Sequence, residues 1–298
     1  MNVLSLFDGC SCGRVALERA GFKIDTYRAF EIDKYAIQIA QKNYPSTIQS
    51  GDVLDSDFSN IKRNDLLLGG SPCTFWSIAK QGRDVDKTGM GWKLFERYLL
   101  ALKNTKPKYF LYENVASMPI QIKDFVSEEF GVQPILINSD LVSAQQRKRL
   151  YWTNIPGITQ PTDKSILLQD IIEDGFVDRK KSYCIDASYF KGGNLQSYYA
   201  KSRRQLVFVD REKSRAIISS IGRTTPREYF RKNQGQLVFK FFEENQIEYR
   251  KLTPKECERL QTLPDNYTDG ISDTQRYKII GNGWTVDVIS HILSFMKY

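Results

Sequence analysis

Three short stretches carry side chains suited to one chemistry. In Leu66-Leu67-Leu68-Gly69-Gly70-Ser71-Pro72-Cys73-Thr74-Phe75-Trp76-Ser77, an apolar run ends in a glycine pair, and a cysteine follows a proline. The leucine run has the texture of a buried parallel strand. Pro72 cannot extend a ladder, so the chain leaves the sheet there. Cys73 is then presented at the carboxyl end of a strand, where open α/β sheets hold their ligands. Such a thiol can serve as a nucleophile, although a free cysteine also serves as an inert filler of a turn. Lys108-Tyr109-Phe110-Leu111-Tyr112 predicts another strand, ending in Glu113-Asn114. Its carboxylate could face the thiol or sit in a surface ion pair. Gln145-Gln146-Arg147-Lys148-Arg149 feeds a strand on which Gln145, Arg147 and Arg149 share a face by period two. Two guanidinium groups on one face suit an anionic or carbonyl-bearing ligand.

Other chemistries are excluded by what is scarce. The single histidine, His291, leaves no Ser-His-Asp triad and no histidine-based zinc site. The five cysteines, at 10, 12, 73, 184 and 257, are odd in number and scattered, as in a reducing compartment with free thiols. Cys10 and Cys12 are too close together, and too short of partners, for a metal cage, so no metal is predicted. Cysteine, carboxylate and arginine must carry any reaction.

The elements that would position these groups alternate between strand and helix. Val3 to Phe7 is an apolar strand, Asp8-Gly9-Cys10-Ser11-Cys12-Gly13 a glycine-bearing turn, and Val15, Ala16, Leu17 and Ala20 the apolar members of a helix. Strand, turn and helix start form a nucleotide-binding layout, without the dinucleotide Gly-x-Gly-x-x-Gly spacing. A second strand, about Thr26 to Phe30, ends in Glu31, an acid able to take both hydroxyls of an adenosine ribose or simply to be solvated. Gly51-Asp52-Val53 ends a third and offers a carboxylate to an adenine amino group. Thr74 to Gly91 predicts a long mobile loop, Trp92 to Leu102 a helix, and Val132 to Asn138 a further strand.

The 298 residues suffice for one large domain and a small one. No apolar run approaches the ~20 residues of a membrane span. Met1 leads straight into a strand without a signal-peptide pattern, which predicts a cytoplasmic protein. The net charge of +8 is uneven: Phe176 to Lys251 holds 17 Lys/Arg against 8 Asp/Glu, leaving 26 against 27 elsewhere. A basic excess confined to one segment points to a polyanion, most often nucleic acid. There, strand-like runs (Gln205 to Val209, Ala216 to Ile218, Leu237 to Phe242) alternate with basic loops. These are Lys191-Gly192-Gly193-Asn194, Lys201-Ser202-Arg203-Arg204 and Arg223-Thr224-Thr225-Pro226-Arg227. Such loops can grip phosphates and reach base edges.

The order of these stretches resembles the cytosine carbon-5 DNA methyltransferases. Phe7-Asp8-Gly9 is similar to their first motif, Pro72-Cys73 with Ser77 to the catalytic loop, Glu113-Asn114-Val115 to Glu-Asn-Val, and Gln145-x-Arg147-x-Arg149 to Gln-x-Arg-x-Arg. Arg250-Lys251-Leu252-Thr253-Pro254-Lys255-Glu256 leading into Arg259-Leu260-Gln261-Thr262-Leu263-Pro264 resembles the motif beside the recognition domain. Gly281-Asn282-Gly283-Trp284-Thr285-Val286 resembles the final one, whose helix packs beside the first. The matches cover 1 to about 155 and 250 to 298. Ser11 and Cys12 depart from the pattern, standing where the family often has a second glycine.

The resemblance implies an α/β fold, a Rossmann-like S-adenosylmethionine-dependent methyltransferase domain (1–157 plus 250–298) with a small, mainly β target-recognition domain (158–249) inserted. It implies a Cys73 thiolate adding to cytosine carbon 6, Glu113 hydrogen-bonding ring nitrogen 3, Arg149 holding the carbonyl oxygen and Arg147 supporting the site. Phe7, Asp8 and Gly9 would hold the methionine part of the cofactor, Glu31 the ribose and Asp52 the adenine amino group. Ile32 would pack on adenine, and Pro72, Leu94 and Asn282 would line the remainder. Ser77, Gln145, Arg203, Arg204 and Arg227 would meet the substrate, double-stranded DNA whose target base is flipped out. The implied enzyme is a stand-alone monomer of bacterial or phage type. An RNA methyltransferase on the same scaffold, or an inactive DNA-binding module, are the alternatives; the basic insert and the intact Cys73, Glu113 and Arg149 argue against them.

Overall fold

The computed structural model describes residues 1–61, 63–78, 82–209 and 248–297. Leu66, Leu67 and Leu68 are buried because their strand, β4 (Leu66–Gly69), runs through the middle of a sheet covered on both faces. On one side it pairs in parallel with β1 (Asn2–Leu6), followed outward by β2 (Thr26–Phe30) and β3 (Ile48–Gln49). On the other it pairs in parallel with β5 (Tyr109–Val115). The far edge is built from β6 (Ile135–Asn138) and β7 (Lys148–Thr153), with β7 lying antiparallel between β5 and β6. The strand order is β3-β2-β1-β4-β5-β7-β6.

Period two divides the leucines. Leu66 and Leu68 join a core with α1 (Cys12–Arg19), α2 (Lys34–Asn43) and a C-terminal helix, Val286–Leu293; Leu67 joins the opposite core with α3 (Met90–Thr105) and α4 (Ile120–Phe130). The C-terminal helix lies against α1, tied by an Arg19–Asp287 ion pair, as the resemblance implied.

The register sets the site. Leu6 pairs with Phe30 and with Gly69, and Gly69 pairs with Tyr112. The next residue of each strand, Phe7, Glu31, Gly70 and Glu113, therefore stands at one level along the carboxyl edge. The chain winds outward from β1 in one direction and from β4 in the other, so this edge is a topological switch point, the ligand-binding crevice of open sheets.

Two expectations are refined here. The strand that carries Glu113 and Asn114 at its end runs on to Val115, because β7 pairs with β5 as far as Val115↔Arg149. Gln145 and Arg147 precede β7 rather than lying within it, yet Arg147 and Arg149 still turn the same way and meet at Cys184 Sγ. The stretch after Cys73 is anchored at both ends: Trp76 is wholly buried, the Asp84 N–H donates to the Phe75 carbonyl and Arg83 reaches the Ser117 carbonyl at 2.7 Å.

The described part of the basic segment holds α5 (Leu195–Lys201) and β8 (Leu206–Val209), and β8 pairs antiparallel with β9 (Glu248–Lys251). The rest of 158–205 is turns and irregular chain rather than strands. Leu168, Ile185, Tyr189 and Val207 share a core with Leu252, with Cys257 and Leu260 of α6 (Pro254–Leu260), and with Tyr277 and Ile280 of α7 (Asp273–Asn282). The helix at Val286–Leu293 is α8. The strands expected at Ala216 to Ile218 and Leu237 to Phe242, the loop at Arg223 and the candidate Arg227 lie outside the described residues.

Candidate active site

Cys73 opens a single 3-10 turn, Cys73–Phe75, directly after Pro72. Its carbonyl accepts from the Trp76 and Ser77 N–H groups at 3.1 and 2.9 Å. The approach to this turn is pinned by β5: the Ser71 and Tyr112 hydroxyls are 2.5 Å apart, and Asn114 Nδ2 donates to the Ser71 carbonyl at 3.1 Å. Gly70 passes so close that a Cβ there would fall 2.7 Å from the Glu113 carbonyl oxygen and 3.1 Å from its Oε2. The thiol and the carboxylate thus occupy neighbouring strand ends.

Glu113 is gripped from both sides. Arg149 Nε lies 2.9 Å from Oε1, and Trp284 Nε1 donates to Oε2 at 2.9 Å. The Arg149 and Glu113 side chains are only 12% and 11% exposed, a range in which a broken pair is costly. Arg149 also approaches Cys184 Sγ at 4.0 Å, and Arg147 reaches that sulfur at 3.3 Å. The remaining Arg147 donors are spent on the carbonyls of Ile185, Gly281 and Gly283. Arg147 is therefore a strut between segments distant in sequence, and Arg149 is the arginine that faces the pocket.

The two thiols near these arginines are tuned in opposite directions. Burial raises the Cys73 pKa, with Arg149 pulling it down and Glu113 pushing it up. Burial also works against ionisation of Cys184, but Arg147 and Arg149 outweigh it and the net shift is downward.

The second half of the crevice surrounds the loop after β1. Phe7, Gly9 and Ser11 all adopt left-handed backbone, with φ of 57°, 59° and 64°. For Phe7 and Ser11 that conformation is unusual and marks a constrained functional turn. At Ser11 the hydroxyl donates to Asp8 Oδ2 at 2.6 Å, an interaction that a glycine could not make and that compensates for the departure from the family pattern. Glu31 closes the crevice: Oε2 accepts from the Gly9 N–H and Oε1 from the Ile32 and Asp33 N–H groups, all at 2.8 Å. Burial raises its pKa against those three donors. Ile32 is 70% exposed, a large apolar side chain left beside Glu31. Asp52 caps a short turn through the Leu54 N–H, Leu94 is half-buried, and Pro72 and Asn282 are exposed. This chemistry fits the adenosine of S-adenosylmethionine: an acid at the end of β2, an apolar ledge next to it and a second acid on the following loop.

Two candidates are bonded within the protein itself. Asp8 is turned inward, accepting from Ser11 and from the Tyr27 hydroxyl at 2.7 Å, so its carboxylate shapes the loop. Gln145 is fully buried, its amide spent on the Leu260 carbonyl, Gln261 and the Ile185 N–H, which joins the stretch before β7 to α6. Ser77 stays beside Cys73 on the turn, and Arg203 and Arg204 lie apart from this pocket, at the end of α5. Reasoning from sequence missed Trp284 and Cys184. Trp284 sits in a quoted motif, next to glycines whose carbonyls Arg147 needs. Cys184 carried no pattern beyond being a thiol.

A switch-point crevice with a nucleoside-shaped half and a thiol, carboxylate and arginine half defines an S-adenosylmethionine-dependent methyltransferase of the Rossmann-like class. The profile of the C-5 cytosine-specific DNA methylases matches residues 1–297, and the chain belongs to that family. It is 27% identical, over 100% of its length and 95% of the other protein's, to the Type II methyltransferase M.NgoPII of Neisseria gonorrhoeae. To the Type II methyltransferase M.FnuDI of Fusobacterium nucleatum it is 28% identical, over 100% and 94%. Its fold is similar to that of a Spodoptera frugiperda DNMT2 variant (TM-score 0.65, 18% identity, 99% of this chain and 98% of that one). It is also similar to a prophage-encoded DNA modification methyltransferase of Escherichia coli (TM-score 0.62, 17% identity, 99% and 98%). The protein is a DNA cytosine-5 methyltransferase that uses S-adenosylmethionine. Among the described residues no helix is long and apolar enough to cross a membrane.

Proposed function

We propose that the chain methylates one cytosine within a short recognition sequence of duplex DNA, through a transient bond between Cys73 and carbon 6 of the flipped-out base. The placing of Glu113 between Arg149 and Trp284, one strand away from Cys73, is the observation that carries this reading. Cytosine is not electrophilic at carbon 6 unless electron density is drawn from the ring. Glu113, acting in its protonated form, donates a hydrogen bond to nitrogen 3 and Arg149 holds the carbonyl oxygen, so both stabilise charge that develops on attack. Sulfur suits the attacking atom, being both nucleophile and leaving group. Carbon 5 becomes nucleophilic, S-adenosylmethionine supplies the methyl group, and loss of the carbon-5 proton with expulsion of the Cys73 thiolate restores the ring.

Arg149 has a second task. The raised pKa of Cys73 leaves it mainly a thiol near neutral pH, and the Arg149 charge favours the thiolate. Glu31, Ile32 and Asp52 hold ribose and adenine, with Phe7, Gly9, Pro72, Leu94 and Asn282 completing the cofactor's surroundings. The basic segment, 158–249, supplies target recognition. The enzyme acts as a monomer in a cytoplasm.

The test is expression in a host lacking cytosine methylation, with base-resolution sequencing of a resident plasmid. Purified protein is then offered duplex DNA and tRNA side by side. We expect one methylated duplex motif, and a covalent complex with duplex carrying 5-fluorocytosine at that motif. Cys73→Ala abolishes both, lowering methyl transfer by about 10⁴-fold or more, on the scale of other lost nucleophiles. Methylation of tRNA alone, or transfer surviving in Cys73→Ala, overturns the reading.

A further inference from the structure

The two basic loops flanking α5 close on each other. A Cβ on Gly192 would lie 3.5 Å from Arg204 Cβ and 3.7 Å from its Cδ, and Arg204 Nη1 reaches the Lys191 carbonyl at 3.4 Å. Between them is a cavity of about 20 Å³ whose walls include Lys191, Gly192, Gly193, Asn194, Arg203 and Arg204. Its lining contains no acidic side chain. The Nε atoms of Arg203 and Arg204 are both buried and have no hydrogen-bond partner among the described residues. A buried guanidinium N–H without an acceptor is costly, and folded proteins keep few of them.

The cradle is fixed from behind. The Tyr189 hydroxyl donates to the Gln205 carbonyl and accepts from the Leu252 N–H at 2.9 Å, while Lys251 Nζ holds the Phe190 carbonyl at 3.1 Å. Arg204 itself is in left-handed backbone, φ 60°.

We infer that this cavity seats one backbone phosphate of the duplex on which the enzyme acts. The space of about 20 Å³ has room for one water-sized group, such as one unbridged phosphate oxygen. Two planar guanidinium groups in one lining, each with a buried Nε that lacks an acceptor among the described residues, suit that oxygen, and the backbone at Gly192 and Gly193 lets the strand come close. Such a contact sets register on the duplex without reading sequence. It lies on a different element from Cys73, Glu113 and Arg149, so it orients DNA independently of the chemistry. The inference rests on the duplex-methylating reading above.

The test uses the full chain and fluorescence anisotropy with the methylated motif and a scrambled duplex, across a range of salt. For Arg203→Ala and Arg204→Ala, affinity for both duplexes falls by the same factor, about tenfold. The slope of log affinity against log salt falls by about 0.9 for each lost contact. In a scan of single uncharged methylphosphonate linkages, one position weakens the unaltered enzyme and leaves these variants indifferent. If alanine variants fold poorly, Arg203→Lys and Arg204→Lys keep the charge and lose the fork; they should retain the slope and lose the position-specific effect. An unchanged slope in the alanine variants, or a loss confined to the methylated motif, overturns the seat. Should the unaltered enzyme show the methylphosphonate effect yet methylate no duplex, the catalytic reading fails and the seat stands. Methylation with no such position does the reverse.

Discussion

Arg147 and Arg149 at the switch point are held by Glu113, Cys184 and four main-chain carbonyls, whereas Arg203 and Arg204 at the end of α5 keep buried Nε groups with no acceptor among the described residues. The contrast follows from what each place has to do. Bond making at cytosine tolerates errors of a few tenths of an ångström, so the orientation of each donor is paid for in advance by intramolecular bonds. Gripping a phosphate asks for charge and open donors, and the ligand itself completes the hydrogen bonding.

The sharpest way to break this comparison is at Glu113. Glu113→Gln removes the charge facing Arg149 and should lower single-turnover methyl transfer by about 10²- to 10⁴-fold. Its salt slope for duplex binding should stay that of the unaltered enzyme, because the phosphate contacts are elsewhere. A matching fall in the slope would merge the two regions into one. Next comes Trp284→Phe, which deletes the donor to Glu113 Oε2 and keeps the ring. A lost hydrogen bond to a charged group predicts a roughly tenfold slower single turnover, with scrambled-duplex affinity as before.

The smallest effect is a pH displacement. The Cys73 thiol sits above its ordinary value of 9.0, so its alkylation by iodoacetamide, followed by mass spectrometry of the Cys73 peptide, rises as pH increases from 7 toward 9. Arg149 favours the thiolate and Glu113 opposes it. Arg149→Gln should therefore move the profile to higher pH and Glu113→Gln to lower pH. Profiles that coincide would mean that burial alone sets the thiol.

Much of the pocket was legible because its parts follow strand ends. A leucine run halted by Pro72 places Cys73, and the acid after β2 places Glu31. What sequence could not give are partners set by long-range register. Glu113 was expected at the end of its strand, but not the antiparallel pairing with β7 that extends β5 to Val115 and sets Arg149 opposite Val115, within reach of the carboxylate. Trp284 is 171 residues from the carboxylate that it serves, and no local period points across that gap. Gln145 and Arg147 were expected on one strand face with Arg149; Arg147 and Arg149 do meet at Cys184, but Gln145 and Arg147 are buried struts, because the chain passes through a core shared with α6 and α7 before β7 begins. For Cys184 the one available signal was indirect. Gly281 is packed against Asp186 so tightly that no Cβ fits, which draws the segment containing Cys184 up to the arginines.

The pairing of β8 with β9 sets Val209 opposite Glu248, so the chain departs and returns at adjacent points of one ladder. Its inner end is seated in the core through Val207 and Leu252, beside Cys257 and Leu260 of α6 and Tyr277 and Ile280 of α7. The ladder thus clamps the basic segment to the two helices that precede the Trp284 loop, and a break in it would slacken a support on which the carboxylate at the switch point relies.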